Sequence, residues 1–231
     1  MPDPYNPLDK LKIADNIVRE LFAQPVQSLP DPLLRGPAAN AQRFEGAGIY
    51  ALFYTGSFVA YERIASANRQ DLVVPLYVGK ADPEGGRTGA LELDASQGTP
   101  LYRRLLDHAK SIQQANNLDL SDFRCRYLVV DAVWISLGER RLISQHLPVW
   151  NTLLDGFGNH DPGGRRAAQF RSPWDTVHPG RRWAARLASH PRTAEEIIAD
   201  LLAPHSYEEL EQRAAQHVKE EDGNVLPDAS G

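Results

Sequence analysis

The chain has 231 residues, 42% of them hydrophobic, with one cysteine and a formal net charge of −5. This is apolar material for one core, or one core with a small appendage, and the lone Cys125 excludes a disulfide framework and a thiolate zinc site. No apolar run is long enough to span a bilayer, and the N-terminal MPDPYNPLDK carries two acids and three prolines where a secretion signal needs basic residues and then an apolar stretch. A soluble, cytoplasmic protein is expected.

Leu11, Ile13, Ile17, Val18, Leu21 and Phe22 recur at helical spacing and predict an amphipathic helix within residues 1–25, before a Pro-rich linker, QPVQSLPDPLLRGPAAN. A first strand is expected over Ala47–Tyr54 (AGIYALFY) and a second over Val73–Val78 (VVPLYV), both rich in aromatic and β-branched residues. A glycine-rich loop (DPEGGRTG) follows. Next come a helix from about Pro100 to Asn116, a strand or pair of strands from Phe123 to Ile135, and a helix from Gly138 to His146 stopped by Pro148. The order β, β, α, β, α implies an α/β (α+β) fold: a small mixed β-sheet with helices packed on it. Residues 207–220 read as a surface helix ahead of a frayed end, EDGNVLPDASG.

Charge is segregated. Arg165, Arg166, Arg171, Arg181, Arg182, Arg186 and Arg192 stand against Asp175 alone, whereas Glu208, Glu209, Glu211, Glu220, Glu221 and Asp222 dominate the C-terminal end. The net negative charge argues weakly against nucleic acid as a partner, but its distribution matters more. Arginine without lysine in a Gly, Pro, Trp and His-rich stretch suits forked contacts to phosphate and guanine edges; the plain alternative is a solvated face with salt bridges.

Gly48-Ile49-Tyr50 and Tyr77-Val78-Gly79-Lys80 place two phenols on neighbouring strands beside a glycine where backbone can approach a ligand. In LYRRLLDHAKSIQQ, Leu101, Leu105, Ala109 and Ile112 form a buried stripe, and Arg104 and His108 share a face at its edge. Glu139 falls on the apolar side of its helix with Leu142, Ile143, His146 and Leu147. A carboxylate there is costly unless it is paired, Arg104 and Arg141 being the candidates, or binds a metal.

In order, these motifs across residues 46–151, ending in Pro148-Val149-Trp150-Asn151, resemble the GIY-YIG nuclease signature, with Val78 where the name has isoleucine. The resemblance implies metal-dependent hydrolysis of DNA. Tyr50 would be the general base with His108 its rival, Tyr77 would position water or phosphate, and Lys80 and Arg104 would stabilise developing charge. Glu139 would be the sole protein ligand of magnesium, with manganese able to substitute, and Asn151 an organising hydrogen-bond partner. Arg87 follows the second tyrosine motif at a distance some members use but has no histidine one turn on, so it joins Arg165, Arg166, Arg171, Arg181 and Arg182 as a candidate DNA contact.

The 27-position step from Tyr50 to Tyr77 and the tail DGFGNHDPGGRRAAQF resemble the family's type II restriction endonucleases, in particular the group with SacII specificity (CCGCGG). That group implies a homodimer on double-stranded DNA and a cognate DNA methyltransferase. Within a single domain, residues 1–40 would be an N-terminal helix and linker, 46–151 the catalytic core, 152–205 a basic DNA-contacting extension and 206–231 an acidic tail. The N-terminal helix and the inserts are the surfaces expected to serve dimerisation. The alternatives are a repair or homing nuclease of the same family, or a DNA-binding module without catalysis.

Overall fold

Every residue of Gly48–Tyr54 is buried, as an unbroken apolar run must be when both faces of a strand are covered. The computed structural model describes residues 9–83, 96, 98–161 and 169–223. Within them β1 (Gln27–Ser28), β2 (Gly48–Tyr54), β3 (Tyr77–Ala81) and β4 (Phe123–Val129) form a sheet in the order β1-β4-β2-β3. Around it lie α1 (Lys10–Ala23), α2 (Gly36–Ala41), α3 (Glu62–Ala67), α4 (Pro100–Gln114), α5 (Ala132–His146), α6 (Val149–Thr152), α7 (Pro173–Val177), α8 (Ala194–Leu202) and α9 (Tyr207–Gly223). The expected α+β architecture is present, and all the pairings among these strands are antiparallel. β4 comes close at Gly48: a Cβ there would sit 2.0 Å from the Leu128 carbonyl oxygen, so only glycine admits that approach.

Strand alternation divides the core in two. Tyr50, Leu52, Tyr54 and Tyr77 join Leu101, Leu105 and Ile112 of α4 in one cluster. Ile49, Ala51, Phe53 and Val78 join Val18 and Leu21 of α1 and Ile135, Leu142 and Ile143 of α5 in the other.

Several boundaries differ from the sequence reading. The second strand starts at Tyr77, not Val73. Pro75 has no N–H for a ladder, and Val73 and Val74 are held by the buried Asn68, whose Oδ1 accepts from both their N–H groups at 3.1 and 2.9 Å. The strand expected to reach Ile135 ends at Val129, and α5 begins at Ala132 rather than Gly138. Ile135 lies two turns before Leu142 on one buried stripe, and this helical period outweighs its β-branching. The Pro-rich linker contributes β1 and α2. Leu11 in α1 is 64% exposed, while Ala14, Val18 and Leu21 are buried. That apolar face packs within the chain on α5, where Arg141 meets Asp15 at 2.6 Å, so it is not the free dimerisation surface expected.

The segment between the tyrosine strands is tied to the C-terminal half by a buried polar chain. Trp150 Nε1 donates to Tyr61 Oη at 2.8 Å, Tyr61 Oη lies 2.6 Å from His178 Nε2, and His178 Nδ1 lies 2.9 Å from Asn117 Oδ1. Burial pushes the His178 pKa down to about 3, so the ring is neutral, accepting from Tyr61 and donating to Asn117. A histidine whose folded pKa is depressed contributes stability that is full above its unfolded pKa, about 6.5, and is lost as pH falls toward the folded value. The melting temperature is expected to fall as pH is lowered from about 6.5 to about 4, and His178→Asn should flatten that slope.

Candidate active site

Tyr50 and Tyr77 stand on adjacent strands, with Tyr50 opposite Gly79 and Leu52 opposite Tyr77, and their ring centroids are 6.2 Å apart. A Cβ on Gly79 would lie 2.3 Å from the Tyr50 hydroxyl. The phenol therefore lies over bare backbone, which is the physical demand for glycine in the second motif. Gly79→Ala is expected to displace Tyr50 and to suppress cleavage more than it lowers the melting temperature.

The helical spacing of α4 brings Arg104 and His108 to this face. His108 is 2% exposed, and its Nε2 is 2.6 Å from Tyr50 Oη. Burial first, then the Arg104 cation, holds its pKa well below the usual histidine value. The ring is neutral, so in the tautomer with Nε2 bare it accepts a hydrogen bond from Tyr50.

Glu139 lies on α5, against the opposite face of the sheet. It is 2% exposed, and its Oε2 meets Lys80 Nζ at 2.6 Å. Lys80 points to this face because it follows Gly79 in an alternating strand. The salt-bridge partner is thus a residue of the second tyrosine motif; Arg141, one candidate from the sequence, is engaged by Asp15. Among the described residues no group of three His, Cys, Asp or Glu side chains could enclose an ion. A single hard oxygen donor such as Glu139 would suit a magnesium-like cation, leaving its other positions to water and phosphate oxygens.

Asn151, at the end of the motif series, closes the outer edge of β3. Its Oδ1 accepts from the Val78 N–H and its Nδ2 donates to the Val78 carbonyl, both at 2.9 Å. The carboxamide takes the place of a neighbouring strand.

One wall of the site was missed in the sequence. Phe157 stacks on His108 with centroids 4.5 Å apart and planes 17° apart, and Arg104 Nη1 donates to His160 Nε2 at 2.8 Å. A Cβ on Gly158 would lie 3.0 Å from Tyr77 Oη and 3.2 Å from Arg104 Nη2, so these two groups converge on that glycine. The available signal was the run Gly156-Phe157-Gly158-Asn159-His160, which begins five positions after Asn151.

Arg181, grouped by the sequence with the DNA contacts, holds this wall from inside and is 2% exposed. Its guanidinium bonds Asp175 at 2.6 and 2.7 Å and donates to the carbonyls of Gly156, Phe157 and Asn159. It lies over the rings of Trp174 and Trp183. All five of its N–H groups have acceptors within the protein, which corrects the expectation of a DNA contact. Breaking one side of such a pair leaves a buried charge uncompensated, so Arg181→Ala is expected to cost about 3–5 kcal/mol in unfolding free energy, read by denaturant titration. Arg171 Nε and Nη2 donate to the carbonyls of Ala184 and Ala185 at 3.1 and 3.3 Å, while Arg182 is exposed. Arg87, Arg165 and Arg166 lie outside the described residues.

No helix among the described residues is long and apolar enough to cross a membrane. A comparison with curated proteins returns no match. A family model described as the Eco29kI GIY-YIG domain matches residues 42–204, about seven-tenths of the chain, and Tyr50, Tyr77, Arg104, His108, Glu139 and Asn151 all fall inside the matched span. The chain belongs to the Eco29kI GIY-YIG nuclease family, a family of restriction endonucleases whose substrate is DNA.

Proposed function

We propose that the protein is a type II restriction endonuclease that cuts both strands of a G·C-rich palindrome. CCGCGG is the site expected from the group its sequence resembles. The observation that carries the hydrolytic part of this reading is the 2.6 Å contact between the Tyr50 hydroxyl and the buried His108. A phenol, with an ordinary pKa of about 10, takes a proton from water only if its own proton has somewhere to go, and His108 Nε2 is that place. The water oxygen bonds to phosphorus as the bond to the 3′ oxygen breaks. The water proton passes to Tyr50 Oη while the phenolic proton passes to His108 Nε2, and the departing 3′ oxygen is protonated from solvent. Arg104, which now donates to His160, would donate to a phosphate oxygen, and Tyr77 would orient the water or phosphate.

Glu139 is the residue that would hold magnesium, with Lys80 orienting its carboxylate. The bound cation supplies positive charge that polarises the scissile phosphate. Manganese, another oxygen-seeking octahedral ion, is expected to substitute. Two cuts in a palindrome require two centres, hence a homodimer on the duplex. A host carrying the enzyme would need a methyltransferase of the same specificity.

The test is a supercoiled plasmid with a single CCGCGG, incubated with the protein and magnesium. Full-length linear product, with a plasmid lacking the site left intact, is the expected result. Random nicking would favour a repair or homing nuclease. A mobility shift without cleavage would make the chain a binding module.

A further inference from the structure

The family match ends at residue 204, before α9 begins at Tyr207. The sequence marks α9 as an acidic surface helix, yet it buries Ala214 to 4% exposure and carries His217 inward, its side chain 10% exposed. His217 Nε2 lies 3.0 Å from Asn151 Nδ2, and its Nδ1 lies 3.5 Å from Asp155 Oδ1.

The donor and acceptor roles follow from the strand outward. The Val78 N–H can only donate, so Asn151 must turn Oδ1 to it, and the Val78 carbonyl can only accept, so Nδ2 faces that. The amide is thereby fixed, and its second Nδ2 hydrogen points to His217, whose Nε2 must accept. The ring proton then sits on Nδ1, toward Asp155. Asp155 Oδ1 also accepts from the Gly156 N–H at 2.7 Å, where the wall of the active site begins. One chain of polar contacts therefore links that wall, α9 and the outer edge of β3.

We infer that His217 is a positioning residue of the nuclease centre. The chain Asp155–His217–Asn151 clamps β3 at Val78 and so sets where Tyr77 and Lys80 stand on either side of it. On this account α9, although beyond the matched domain, completes the site. The positioning role rests on the nuclease reading above, whereas the clamp itself does not depend on it.

Two variants separate polarity from bulk: His217→Leu removes the acceptor, and His217→Gln restores one through Oε1. The first measurement needs no DNA. Amide hydrogen exchange at Val78 and Gly79 is expected to accelerate about tenfold or more in the leucine variant, with β4 unchanged and the glutamine variant near wild type. The second is single-turnover cleavage with DNA affinity measured alongside. The leucine variant should cut about tenfold or more slowly, because small misplacements of reacting groups are costly, while binding DNA within about twofold of wild type; glutamine should recover most of the rate.

Unchanged exchange at Val78 would overturn the clamp. Faster exchange with undiminished cleavage would overturn the positioning role, as would a rate loss that glutamine does not rescue. A wild-type protein that cuts no DNA would sink the nuclease reading and the positioning role with it, and the exchange data would still decide the clamp.

Discussion

Glu139→Gln is expected to abolish cleavage in magnesium or manganese while leaving DNA affinity within about twofold, because an amide is nearly isosteric with the carboxylate but a poor ligand for a hard cation. The substitution also removes the counter-charge of Lys80, which sits 2.6 Å away. Losing one partner of a fully buried pair costs about 3–5 kcal/mol, and here the cost should be smaller because the Lys80 side chain is 18% exposed. A melting curve must therefore accompany the assay. A folded Gln variant that binds DNA and does not cut supports the metal-ligand role. A folded variant that cuts near the wild-type rate makes Glu139 a core ion-pair partner and nothing more.

Tyr50→Phe should slow single-turnover cleavage by about 10²–10⁴, the range for loss of a general base, since it deletes one hydroxyl and little packing. His108→Ala should cost a similar factor, because the 2.6 Å contact makes the two groups a single proton path. Groups that act as a unit are non-additive, so the double variant is expected to be little slower than either single one. Losses that multiply would mean two independent roles and would overturn the relay. The wild-type rate should also hold as pH falls through about 6.5, because burial and Arg104 keep His108 neutral below the usual histidine range. A rate that falls with a midpoint near 6.5 would show His108 titrating as an ordinary exposed imidazole.

The candidate site was legible wherever a local period placed a residue. Alternation along GIYALFY and YVGKA sets the faces of Tyr50, Tyr77 and Lys80. A spacing of four on α4 pairs Arg104 with His108, and the apolar stripe of α5 carries Glu139 into the core. Short-range geometry depends on the backbone alone, so residue order suffices to predict it. The family resemblance rested on those same positions, and the family match includes them.

What the tertiary structure decided lies where no period operates. Arg181 sits in a stretch rich in glycine, proline and tryptophan that reads as a basic surface; its burial follows from Asp175 and two indoles meeting it across a turn. Lys80 became the partner of Glu139 because a strand and a helix far apart in sequence pack face to face. His217 reaches Asn151 across 66 residues, and nothing in an acidic helix announces that one histidine will face a strand edge. Residue order along the chain determined which groups are present and which element each stands on. The packing of non-neighbouring segments determined which of them share a hydrogen bond, because desolvation and hydrogen-bond geometry are set by distances that only the folded chain defines.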